Sequence, residues 1–192
     1  MSEPKKRKLD ESENRLFQLS VNSAGTVTAV IDPSFNIFPQ NLLAFIRRQI
    51  ESQYADIQNR RAVRPAGPLV IVTHEVRTTD WAWPYFASPS LHQRSTYRHV
   101  GLANLVALDV FRRETLERQD MVRTEWLQLV PQTAHVSNPT FDKLHSLRAT
   151  DIGWGFDSNG CVSVSAIRPT GEHVFKSTAY VYKQVHLPQQ AV

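Results

Sequence analysis

The side chains able to do acid–base or nucleophilic chemistry are thinly spread along the chain. Tyr180 and Lys183 form a Tyr-x-x-Lys, a pattern used in dehydrogenases and in strand-nicking endonucleases. Both enzyme types need companions, a cofactor fingerprint or a His-x-His pair, and the sequence has neither. With His173, the two residues make a His/Tyr/Lys set on the last predicted hairpin, which an enzyme acting on RNA or DNA could use. His74-Glu75 is an acid/base dipeptide, but neighbours on a strand point to opposite faces. The seven histidines (His74, His92, His99, His135, His145, His173 and His186) show no metal-ligand spacing, and the single thiol, Cys161, cannot supply a zinc ribbon. Gly153 and Gly155 make a Gly-x-Gly without the third glycine of a dinucleotide loop. No GxxxxGK phosphate loop and no GxSxG elbow occurs. The pattern points away from an enzyme, and no cofactor or metal is expected.

Residues suited to recognition are more prominent. Pro4, Lys5, Lys6, Arg7 and Lys8 open the run PKKRKLD. It is similar to monopartite nuclear-import signals, in which lysine and arginine stems lie along a receptor groove while their charged heads meet acidic partners. The resemblance implies a nuclear-import receptor as partner and a nuclear location. It covers seven residues of 192. Trp81, Trp83, Tyr85 and Phe86 crowd an aromatic loop that could hold a peptide, a cation or a base; the competing reading is a lid on one end of the core. Arg47, Arg48, Arg60, Arg61 and Arg64 are candidate nucleic-acid contacts along one helix and just beyond it, although Glu51 and Asp56 share the region. Arg112, Arg113, Arg118 and Arg123 are interleaved with Glu114, Glu117, Asp120 and Glu125, the pattern of an ion-paired solvent face.

Formal net charge is +4, equal to the Lys5–Lys8 block alone. Subtracting that block leaves the remainder near neutral, which places any salt-sensitive nucleic-acid affinity mostly in the leader.

These residues need a framework. At 192 residues, 41% hydrophobic and 21% charged, the composition is that of an ordinary globular domain. Residues 1–14 hold Leu9 as their only large apolar side chain, so a disordered basic tail is expected there. One α+β domain is expected over 15–187, with a short tail over 188–192. One cysteine suits a reducing compartment, and no apolar run is long enough to span a bilayer. Two β-rich runs flanking Asn22-Ser23-Ala24-Gly25 predict an N-terminal hairpin. Leu42, Leu43, Phe45, Ile46, Ile50, Tyr54 and Ile57 recur at helical spacing after Pro39. The run PLVIVTHEV predicts a buried strand, and a second long helix is expected from about Thr96 to Gln119, restarting before Trp126. A short helix should follow Asn138-Pro139, through about Ala149. Asn159-Gly160 and Pro169-Thr170-Gly171 then predict a C-terminal three-stranded antiparallel meander. Strands at both ends with helices between them argue α+β.

The expected function is that of a non-enzymatic nuclear protein, a subunit or adaptor acting through other protein subunits and weakly through nucleic acid. The alternatives are a viral matrix-like or nucleic-acid-coating protein that enters the host nucleus, and a nucleic-acid-processing enzyme or enzyme subunit.

Overall fold

Two tetrads of one pattern, Asn22-Ser23-Ala24-Gly25 and Asp157-Ser158-Asn159-Gly160, each reverse the chain between antiparallel strands. The first residue does the work in both. Asn22 Oδ1 accepts from the Ala24 and Thr26 N–H groups, and Asp157 Oδ1 from those of Asn159 and Cys161, all at 2.8–3.0 Å. The fourth residue is left-handed, with φ of 79° at Gly25 and 72° at Gly160, a conformation open to glycine without Cβ strain.

The computed structural model describes residues 15–59, 70–80, 90–117, 125–129, 151–170 and 173–183, and the chain divides into two units, residues 1–62 and 63–192. The architecture is mixed α+β, with the expected N-terminal hairpin and C-terminal antiparallel strands.

In the first unit, β1 (Phe17–Val21) pairs with β2 (Val27–Ile31) as a two-stranded sheet. Phe17, Val27 and Ala29 are buried, at alternate positions, as the period of a strand requires. Asp32 then caps a 3-10 turn, Pro33–Ile37, its carboxylate accepting the Ser34 N–H at 2.9 Å. The turn buries Phe35, which stacks on Phe38 at 6.1 Å. Next, α1 (Gln40–Asn59) buries Leu42, Leu43, Ile46 and Ile50 along one side and packs on β2. Tyr54 meets the Phe17 ring edge-on at 6.0 Å.

The second unit holds a six-stranded sheet in the order β4-β3-β8-β7-β6-β5. Its strands are β3 (Val70–Asp80), β4 (Ser90–Tyr97), β5 (Glu125–Gln128), β6 (Asp151–Phe156), β7 (Val162–Thr170) and β8 (His173–Lys183). All neighbours are antiparallel except β5 and β6. By register, Ile152, Trp154, Val162, Val164, Ala166, Ser177, Ala179 and Val181 share one face, and all are buried. The helix α2 (Val100–Phe111) packs on β8, β3, β7 and β4 and continues as one π-helical stretch, Arg112–Glu117. The Thr115 hydroxyl bonds that of Ser177, which sets this helical run on the apolar face. Among the described residues no helix is long and apolar enough to cross a membrane.

Three boundaries correct the sequence reading. Thr96 belongs to β4, so the second helix starts at Val100. The segment around Trp126 is the strand β5, where a helical restart was expected. Thr78–Asp80, expected in the aromatic loop, extends β3. The short helix expected after Asn138 lies outside the described residues.

Candidate nucleic-acid interface

Arg47 and Arg48 sit mid-way along α1, and both are exposed. An acid three or four residues on is the usual partner of such a side chain, and Glu51 stands at that spacing to both. It is occupied elsewhere: its Oε1 accepts the backbone N–H of Ala29 at 3.0 Å. The reason lies in the strand register. Pairs 16/32 and 22/26 are joined by backbone bonds of 2.9 and 3.1 Å, so the intervening pair Leu19–Ala29 turns its N–H groups outward. A carboxylate reaching across from α1 satisfies that donor on the β2 edge, and doing so takes it away from the arginines. Asp32, before α1, is spent on the cap of the Pro33–Ile37 turn. Arg47 and Arg48 are therefore without an ion pair among the described residues.

The second basic run behaves in the opposite way. Asp109, three and four residues before Arg112 and Arg113, bonds both guanidinium groups at 2.8 and 2.9 Å, and Glu117 adds a further contact to Arg112. Burial opposes the Arg112 charge, but the hydrogen bonds and charges of Asp109 and Glu117 outweigh it and hold the pKa above its ordinary value. The expected ion-paired face is thus present at Arg112 and Arg113, and its cations are neutralised. Arg118, Arg123 and Asp120 lie outside the described residues.

Phe45, counted with the apolar face by spacing, is 40% exposed instead. It lies one helical turn before Arg48 and so shares its side of the helix. The buried stripe is narrow: Leu42, Leu43, Ile46 and Ile50 form it where α1 packs on β2, and Phe45 falls outside it.

The leader carries as many acids as bases. Residues 1–14 hold Lys5, Lys6, Arg7 and Lys8, but also Glu3, Asp10, Glu11 and Glu13. The leader is net neutral, and the whole excess of +4 resides in residues 15–192.

Of the remaining candidates, the His173, Tyr180, Lys183 set is pulled apart. His173 and Lys183 terminate opposite ends of β8, roughly 33 Å apart at the rise of a strand, and Tyr180 occupies the alternate register from both. No common reaction centre can include them. His74 and Glu75 flank the irregularity at which β3 and β4 lose register, and as strand neighbours they belong to opposite faces. The leader residues Pro4 to Lys8, the arginines Arg60, Arg61 and Arg64, and the aromatics Trp81, Trp83, Tyr85 and Phe86 lie outside the described residues.

Cys161 is fully buried beside the β6–β7 turn. Burial pushes its thiol up to about 12, the Asp157 carboxylate adds to the rise, and Lys183 opposes it. At pH 8 only about one thiol in 10,000 is ionised at such a value, so alkylation of the native protein should be negligible over hours and complete within minutes in denaturant. Mass spectrometry of iodoacetamide-treated samples checks this. Because the folded pKa stands above the unfolded one, the stabilisation belongs to the protonated thiol. It is complete below about pH 9 and is lost as pH rises toward 12.

No family model, curated protein or solved structure matches the chain.

Proposed function

We propose that the chain is a non-enzymatic nuclear protein that works as a subunit or adaptor through protein–protein contacts. The import-like run Pro4–Asp10 supports the location, and the free edge of the N-terminal hairpin supports the mode of contact. Phe17, Leu19 and Val21 turn their N–H and C=O groups away from β2, and among the described residues no strand pairs with that edge. Val21, at its end, is 49% exposed. Such an edge accepts an extended peptide by strand addition, with backbone bonds supplying affinity. The β2 edge, with Ala29 bonded by Glu51, is less able to do so.

The test has two arms. A fluorescently tagged full chain should concentrate in nuclei, and replacement of Lys5, Lys6, Arg7 and Lys8 by alanine should redistribute it to the cytoplasm. Val21→Pro removes an outward donor without touching the hairpin bonds. Companions recovered from nuclear extract with the wild type should be lost with this variant. Exclusion of the wild type from nuclei, or companions indifferent to Val21→Pro, would remove the reading.

A further inference from the structure

We infer that the exposed side of α1 binds single-stranded nucleic acid, with Arg47 and Arg48 contacting phosphates and Phe45 offering a ring on which a base stacks. The inference stands on a different surface from the hairpin edge and does not depend on it.

Four observations carry it. Arg47 and Arg48 are exposed and lack ion pairs among the described residues, and the carboxylate at pairing spacing, Glu51, is committed to the Ala29 N–H. This commitment is structural, so the cations remain available in the resting fold. A phosphate ester would meet donors that need no partner displaced, in contrast to Arg112 and Arg113, where Asp109 and Glu117 already hold the positions an incoming phosphate would take. Guanidinium groups suit the forked geometry of a phosphate. Next, the full positive excess of the chain lies in residues 15–192, which adds long-range attraction toward a polyanion. Finally, Phe45, 40% exposed and a turn from Arg48, gives the patch an apolar ring. A flat ring beside cations matches the alternation of bases and phosphates in an unpaired strand, whereas the bases of a duplex are already stacked on one another. The same ring on a purely electrostatic surface would contribute nothing.

Fluorescence anisotropy of the full chain with a labelled 20-nucleotide single strand, the matching duplex and vesicles of anionic lipid, from 50 to 200 mM salt, separates the outcomes. The single strand should bind more tightly than the duplex. Arg47→Glu with Arg48→Glu should weaken binding to the strand at least tenfold at 100 mM salt. Arg47→Ala with Arg48→Ala should flatten the plot of log affinity against log salt by about 1.4, the value for two released counterions on a single strand. Arg47→Lys with Arg48→Lys should restore that slope. Phe45→Ala should cost the single strand about tenfold and leave the duplex unaffected. These positions are exposed, and circular dichroism melting of each variant verifies that the fold persists. The inference is overturned if the charge-reversed variant binds the strand as wild type does, or if neutralising Lys5, Lys6, Arg7 and Lys8 alone abolishes binding. Preference for duplex, for vesicles, or for neither polyanion overturns it as well.

Discussion

Replacing Phe111 by alanine should cost the second unit about 3–5 kcal/mol, the range for emptying a large aromatic site in a packed interior. Phe111 is wholly buried at the end of α2, and nearly every side chain of that helix is buried too: Leu102, Leu105, Leu108 and Val110 as well as Ala103 and Ala107. A helix buried on nearly all sides has little solvent face toward which neighbours can relax, so the cavity should persist. Against a total stability of roughly 5–15 kcal/mol, the loss is a large fraction, and the melting temperature should fall by about 10 °C or more. All four tryptophans, at positions 81, 83, 126 and 154, lie in residues 63–192, so their fluorescence during urea titration reports this unit alone. A substitution at an exposed surface position costs under about 1 kcal/mol. A Phe111→Ala loss of that same small size would mean that α2 is not packed as described.

Asn104→Ala should cost about 2–4 kcal/mol for a different reason. Asn104 is entirely buried in α2, where a polar side chain has to be matched bond for bond. Its amide donates to the Gly160 carbonyl at 2.8 Å, and its oxygen accepts the Val162 N–H at 2.9 Å. The side chain thereby continues the backbone bonding of the β6–β7 turn into the helix. Alanine removes the partner of the buried Val162 N–H and of the part-buried Gly160 carbonyl, each loss costing about 1–3 kcal/mol. Amide exchange gives a local readout: the Val162 N–H should lose protection well beyond the global change. If Val162 stays as protected as its neighbours, the clamp does not exist in solution.

The elements read correctly from sequence are those whose signal is local. The hairpin at Asn159-Gly160 was legible because few turns tolerate a left-handed residue, though the side chain that builds the turn is Asp157, two positions earlier. The same Asx-Ser-x-Gly pattern marked the first hairpin. The helix α1 was legible because Leu42, Leu43, Ile46 and Ile50 repeat with its period. The strands β4 and β5 were not. β4, Ser-Leu-His-Gln-Arg-Ser-Thr-Tyr, carries little apolar alternation because it lies at the sheet's edge, and β3 rather than its own pattern holds it extended. β5 is four residues long and pairs in parallel with β6 across an intervening stretch of more than 20 residues, so nothing nearby signals it. At the site, spacing showed Arg47 and Arg48 on the polar side of α1 but set Glu51 against them. That the acid serves a strand 22 residues earlier is a tertiary fact, and it changes the sign of the argument. For Phe45, spacing placed the ring inward because helical periodicity measures a wide arc, while only a narrow one is covered.

The long ladder between β3 and β8 bears on how the molecule comes to be made. β3 pairs with β8 through eleven consecutive positions, Val70–Lys183 to Asp80–His173, with about a hundred residues between the strands. On a ribosome, β3 emerges well before the segment that completes its second edge exists. It can close on β4 at once, but its other side must wait about a hundred residues longer, until β8 is made. The large sheet therefore cannot assemble before β8 is made, and deleting β8 removes the strand that joins the β3–β4 pair to β7, β6 and β5.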